Sequence, residues 1–425
     1  MRPDSMLSHG KLLAAAALAA TILACQPDAG PAGLVGPMAA SRSSVPSQEG
    51  LTSPAWQGTA AALVAQAKIP PYAGARLYAF VGVAQYLAVQ QAEDGPGGDG
   101  ESERGERSRR ESDRGAVAGA SVAVLTFLFP AQTQALEDMV TAQRGAGSEP
   151  AQRAFARGEA IGRAVGAGIV TRAQTDGWDT PFTGTIPVGV GFWISNTTPA
   201  TVAGGQLPGV RPWFLTSASQ FRSAPPPAFG SPAFQAALAE IRAISDTRTA
   251  AQVDIATFWA FGTGTITPPG VWLQVATDGI AQRGLSERRA THLYALLSAT
   301  MADAIIGCWD AKQTYWFIRP WQADAITVVA AVGKPNHPSY PSGHSCASAS
   351  AAEVLSRFFP EQRAQLDAMV IEAGLSRMYG GIHYRFDIEA GQLLGRRVAH
   401  FTLAADRSGR SVLSPHDDER GDGQR

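Results

Sequence analysis

Apolar residues recur at helical spacing along most of the chain. RLYAFVGVAQYLAVQQA (76–92) and AVAGASVAVLTFLF (116–129) carry them every three or four positions, and Pro130 ends the second run. ALEDMVTAQ (135–143), RAFARGEAIGRAVGAGIVTRA (153–173), SPAFQAALAEIRAI (231–244) and TAAQVDIATFWAF (249–261) continue the pattern. Ser286 is suited to cap a long helix, ERRATHLYALLSATMADAIIGCWDAKQTYWFI. That helix must end near Arg319, because Pro320 disfavours helical geometry in the residue before it. Ser342 is placed to cap another, SGHSCASASAAEVLSRFF, running to Pro360. Residues 174–230 are rich in Gly, Pro, Thr and Trp and read as a long irregular excursion, with Trp193 and Trp213 as candidates to line an entrance. Strand-like alternation is scarce. The pattern predicts an all-α fold, one packed helical bundle from about 53 to 405.

The ends read differently. LLAAAALAATILA (12–24) follows Arg2 and Lys11 and is too short to span a bilayer, so residues 1–25 fit a secretory signal. Cys25 in ILACQ resembles a bacterial lipoprotein box, which implies lipidation at that cysteine; a plain signal peptide cut nearby is the alternative. Either way the protein is expected in the bacterial cell envelope or beyond it, with membrane attachment only through a lipid anchor. Residues 26–52 read as a flexible tether and 406–425 as a polar tail. Residues 92–115 carry eight acidic and five basic residues and no large apolar one, so they are expected to form a disordered charged loop. A formal net charge of −1 gives no global attraction to nucleic acid. Cys308 and Cys346 are the cysteines beyond the signal. Buried thiols are the first reading and a single bridge the second.

Three stretches carry candidate chemistry. In WDAKQTYWFIRP (309–320), Lys312 and Arg319 lie seven apart, which on one helix points both the same way. Trp309 lies three before Lys312 on that face. In HPSYPSGHS (337–345), the free N–H groups of a helix start can bind an anion; Ser342 and Gly343 would supply donors and His344 would sit in the first turn. In SRMYGGIHYRFDIEAG (376–391), Gly380–Gly381 breaks a helix between Arg377 and His383, and Asp387 lies four after His383. A carboxylate on one ring nitrogen fixes the tautomer and leaves the other nitrogen free. Singly, each stretch also fits surface cations, a solvated loop histidine and an ordinary His–Asp pair. Together they describe a site for a tetrahedral oxyanion: cations to neutralise it, one histidine to bond its central atom, another to move protons.

The pattern Lys-x6-Arg-Pro, Pro-Ser-Gly-His, Ser-Arg-x5-His-x3-Asp resembles that of the superfamily of vanadium-dependent haloperoxidases and type 2 phosphatidic acid (PAP2) phosphatases. It is met at Lys312, Arg319, Pro320, Pro341, Ser342, Gly343, His344, Ser376, Arg377, His383 and Asp387. The resemblance implies a large helical bundle of the chloroperoxidase/PAP2 type. It implies that Lys312, Arg319, Arg377, Ser342 and the Gly343 amide hold the equatorial oxygens. It makes His383 the vanadium ligand or the nucleophile, His344 the acid–base residue and Asp387 the group that orients His383.

Two activities follow from it. One is halide oxidation by hydrogen peroxide at a histidine-bound vanadate cofactor. The alternative is hydrolysis of phosphate monoesters through a phosphohistidine, with no cofactor. Substrates are small molecules in both. Trp309 resembles the chloroperoxidase residue at its position and His337 the bromoperoxidase one, so both are candidates for a halide pocket without fixing the halide. These positions and the long helical N-terminal region favour the haloperoxidase reading. The 20-residue gap between Pro320 and Pro341 sits comfortably among the phosphatases.

Overall fold

The computed structural model describes residues 51–94, 103–145, 147–409 and 411–414. Among them are thirteen α-helices and no strand, only an isolated bridge between Phe192 and Phe317. In chain order the helices are α1 (Ser53–Gln66), α2 (Pro71–Asp94), α3 (Glu103–Leu128), α4 (Thr133–Gly145), α5 (Glu149–Thr175), α6 (Pro232–Thr247) and α7 (Ala250–Phe258). They continue as α8 (Thr267–Arg283), α9 (Glu287–Tyr315), α10 (Pro320–Ala323), α11 (Gly343–Phe358), α12 (Arg363–Tyr379) and α13 (Arg385–Arg407). No described helix is long and apolar enough to cross a membrane. The expected signal segment, with Cys25, lies outside the described residues.

α9 is the axis. It is buried along nearly its whole length because α2, α11 and α13 pack around it. Ser286 caps it as expected, accepting from Arg289 N. Its end differs from the expectation. The helix stops at Tyr315 rather than near Arg319, and Trp316 takes a left-handed conformation at φ 48°. The excursion claims the backbone that follows: Trp193 N donates to Trp316 O at 2.7 Å, and Ile318 N to Gly191 O at 3.1 Å. Trp193 is buried against Trp316, and Trp213 lies in the main core, so neither lines an entrance. Cys308 and Cys346 are free, buried thiols.

The charged segment is a second correction. α2 runs to Asp94, and α3 begins at Glu103, so 103–115 is helix; residues 95–102 lie outside the described set. Glu and Arg are good helix formers, and Arg114 pairs with Glu111 at 2.9 Å one turn away. Packing then takes over, since Asp113 and Gly115 are already buried. The boundaries of the domain also widen slightly. Thr52, placed in the tether, is buried and donates its N–H to Glu287. Leu413, placed in the tail, is buried too.

α3 and α5 approach at van der Waals contact of their backbones. A Cβ on Gly158 would stand 1.8 Å from Ser112 O, and one on Gly162 2.1 Å from Ala116 O. Gly115 and Gly119 do the same from the α3 side. Gly158→Ala is therefore expected to force the helices apart and destabilise the protein by on the order of 3 kcal/mol in urea denaturation. Gly168→Ala on the exposed face of α5 meets nothing within 4 Å. It should leave stability unchanged or raise it by up to about 1 kcal/mol.

Candidate active site

The site forms where five helix ends meet. α9 delivers Trp309 and Lys312 from its last two turns, and Arg319 caps α10. Residues 337–342 form the turn before α11, where Ser342 is the N-cap and its hydroxyl accepts from Ser345 N. α12 ends at Tyr379 with Arg377 in its last turn; Gly381, at φ 70°, then reverses the chain, and α13 starts two residues after His383. All ten candidate residues thus come together, although Lys312 and Arg319 do so from two helices rather than one face.

His383 is the centre. Its Nδ1 lies 2.8 Å from Asp387 Oδ2. Asp387 Oδ2 also accepts from Ser339 Oγ at 2.5 Å and from Tyr384 N at 3.1 Å, while Asp387 O accepts from Ser342 N at 2.9 Å. A carboxylate already held by two donors is an acceptor, so the ring proton is on Nδ1. The Nε2 lone pair then faces Arg319 Nη1 at 3.0 Å, a group that can only donate. Arg319 also donates to Ile382 O, to His337 O and, through Nη2 at 3.1 Å, to His337 Nδ1. The Trp309 ring lies 4.9 Å from that of His337, and its Nε1 donates to Ala203 O at 2.9 Å.

The remaining groups surround this centre. Arg377 donates to Ala256 O at the end of α7 and to Ser376 Oγ. His344 Nε2 donates to Trp259 O at 2.9 Å, which leaves Nδ1 as the nitrogen able to exchange a proton. Gly343 lies beside Trp309, where an added Cβ would meet the indole at 3.3 Å. Lys312 differs from the expectation of a direct oxyanion ligand. Its three N–H groups go to Pro338 O, Ser339 O and Pro341 O at 2.6–2.8 Å. A buried ammonium must satisfy its donors, and the turn offers three carbonyls within reach. Lys312 braces that turn and brings its charge to the site.

The electrostatics are unbalanced by construction. Lys312 and Arg319 are 0% exposed and Arg377 2%. Among the described residues, the carboxylate acting on Lys312 and Arg319 is Asp387. Burial pushes Lys312 down to about 8 and Arg319 and Arg377 down to about 9. Burial raises Asp387 to about 6, against the donors that favour its anion. Burial, and then the neighbouring cations, hold His337, His344 and His383 well below the ordinary imidazole value. Uncompensated buried charge is costly. A multiply charged tetrahedral anion would neutralise the surplus, and it is the chemistry this donor set fits.

Sequence reasoning missed Ser339, although it lies inside the quoted HPSYPSGHS stretch. Nothing in its spacing says that it reaches Asp387. The carbonyls of Ala256 in α7, of Trp259 just after it and of Ala203 in the excursion were equally invisible, because backbone acceptors leave no residue signature.

The PAP2 superfamily matches residues 291–408. A non-specific acid phosphatase from Providencia stuartii is 28% identical over 114 residues, covering 26% of this chain and 46% of that protein, so the match spans about half of the relative. In three dimensions the chain is similar to a bacterial vanadium-dependent iodoperoxidase, with a TM-score of 0.67 and 24% identity over 83% of this chain and 95% of that one. It is also similar to a bacterial vanadium-dependent chloroperoxidase in its holo form, with a TM-score of 0.65 and 14% identity over 80% and 92%. These likenesses are ones of fold. Residues 291–408 match the PAP2 superfamily, on a helical fold similar to that of the vanadium-dependent haloperoxidases.

Proposed function

We propose that the protein is a vanadate-dependent haloperoxidase that oxidises halide with hydrogen peroxide. The observation that carries an oxyanion site is the buried surplus of cations, with Arg319 on the Nε2 lone pair of His383, Lys312 nearby and Arg377 beside His344. Favouring the haloperoxidase branch, the fold spans 95% of the iodoperoxidase, whereas the phosphatase likeness is limited to 114 residues. Vanadate, when bound, supplies a Lewis-acidic centre that can activate peroxide toward halide. His383 Nε2 would hold it, with Arg319, Arg377, Ser342 and the Gly343 N–H on its oxygens and the Lys312 charge behind them. Asp387 keeps the His383 proton on Nδ1, so that Nε2 stays a ligand rather than a donor. His344 Nδ1 would move protons to and from the reacting oxygens. Trp309 and His337 would flank the approach of halide.

Phosphomonoester hydrolysis is the second reading, favoured by the acid phosphatase match. There His383 Nε2 attacks phosphorus, the ester oxygen leaves with a proton from His344, and water cleaves the N–P bond. Both readings use the same anion pocket and small-molecule substrates. We also propose export through residues 1–25, with Cys25 as the point of lipid attachment.

Three outcomes test this function. Protein prepared without phosphate and supplied with vanadate should oxidise iodide or bromide with peroxide; hydrolysis of p-nitrophenyl phosphate that vanadate abolishes, with no halide oxidation, would support the second reading instead. His383→Ala should abolish either activity, and retained activity would overturn the site. Ser339→Ala removes a charge-assisted hydrogen bond and should lower kcat by about tenfold or more, with Ser339→Thr restoring it. A further outcome concerns pH. Anion binding favours the charged forms of Lys312, Arg319 and Arg377, whose values are pushed down to about 8, 9 and 9. Affinity should be full below about pH 8 and fall as these groups lose their protons above it. Phosphate at a hundred times its Kd should stabilise the protein by about 2.7 kcal/mol at neutral pH, and thermal melts should show the gain shrinking toward about pH 9.5.

A further inference from the structure

The excursion between α5 and α6 holds a feature the oxyanion chemistry does not use. Residues 180–210 contain no Asp, Glu, Lys, Arg or His, in a chain that is 17% charged. Much of this uncharged span faces solvent. Val188 is 96% exposed, Val190 85% and Ile194 60%. Solvent-facing chain is ordinarily where charge collects, so an uncharged, aliphatic stretch of surface marks a contact with something apolar.

The same span lines an open cleft of about 470 Å³, bounded by Phe182, Gly184, Ile186, Ala200, Thr201 and Val202. That volume lies in the range of small-molecule pockets, whose walls are mostly apolar with a few polar groups. Its position relative to the site follows from contacts. Val202 precedes Ala203, whose carbonyl accepts from Trp309 Nε1 and whose N–H donates to Asn336 O at 2.8 Å, next to His337. Phe182 packs on Gly205 and against Trp316, with ring centroids 6.0 Å apart. Gln313, the neighbour of Lys312, donates to Gly205 O. The cleft and the oxyanion pocket are thus two sides of one wall, built from Trp309, Trp316 and residues 203–205.

We propose that this cleft binds the neutral, apolar organic molecule on which the site acts, an aryl or alkyl compound rather than a charged metabolite. The inference rests on the reading of the neighbouring pocket as the reacting centre. In the haloperoxidase reading the occupant is the acceptor that is halogenated; in the phosphatase reading it is the apolar group of the ester. A neutral wall suits either, because it adds hydrophobic affinity without competing with the cations for the anion.

Binding is read without turnover. The mature protein is titrated with 2-naphthol, a neutral aromatic phenol, and the Kd is taken from tryptophan fluorescence, to which Trp316 beside Phe182 contributes. Ile186→Asp and Ala200→Glu each place a charge in the cleft; Ala200 is exposed, so the second substitution does not disturb packing. Both should raise the Kd at least tenfold while leaving the phosphate-dependent rise in melting temperature intact. The proposal is overturned if 2-naphthol does not bind or if the Kd is unchanged in both variants. It is equally overturned if the variants leave the Kd unchanged and dissociate an oligomer in gel filtration, which would make the surface an interface between copies. Binding of 2-naphthol by a protein without halide oxidation or ester hydrolysis would refute the functional reading and leave the cleft standing; the reverse result would refute the cleft alone.

Discussion

Arg319 is the residue on which the rest of the site depends. Its guanidinium is fully buried and reaches His383 Nε2, Ile382 O, His337 O and His337 Nδ1. A group that only donates must be met by acceptors, so it fixes both histidines as neutral rings with a lone pair toward it. Removing it would loosen the 337–342 turn from the 382–387 segment, which Ser339 and Ser342 also hold through Asp387. The turn carries the start of α11, and the segment carries His383 and Asp387, so Arg319 helps to register two of the three motif stretches against each other. Lys312 does the same work from the other side, holding the turn by three of its carbonyls.

The charge arrangement follows from that geometry. Three cations are drawn inward; among the described residues Asp387 is the carboxylate that answers Lys312 and Arg319, and its Oδ2 is already engaged by Ser339, Tyr384 N and His383. Folding energy from the bundle has to sustain this imbalance. The close contact of α3 with α5 and the buried length of α9 are the parts of the fold that can do so. The PAP2 region begins inside α9, and the helices before it supply the excursion and the packing that a compact motif region alone would lack.

The motif positions were legible in the sequence because each is a side chain at a fixed spacing, and the helices around them because their apolar residues keep one period. What escaped had a different cause in each case. The end of α9 is set at Trp316 by pairing with residues 191–193, more than a hundred positions away. The charged run 103–115 is helical because its Glu and Arg residues favour helix and its end packs on a glycine face of α5, a contact that composition cannot reveal. Lys312 was expected to meet an anion directly, and the structure gives its protons to carbonyls that no residue type announces. Trp193 and Trp213 were candidates to line an entrance because of the irregular chain around them, yet both side chains turn inward.

The central claim is that the imbalance around His383 exists for one tetrahedral oxyanion. Orthovanadate titrated into phosphate-free protein and followed by ⁵¹V NMR tests it most directly. The account predicts loss of the free-vanadate resonance until one equivalent per chain is bound, with the resonance returning when phosphate is added in excess. A resonance that stays unchanged at every ratio, or that phosphate cannot restore, would contradict it.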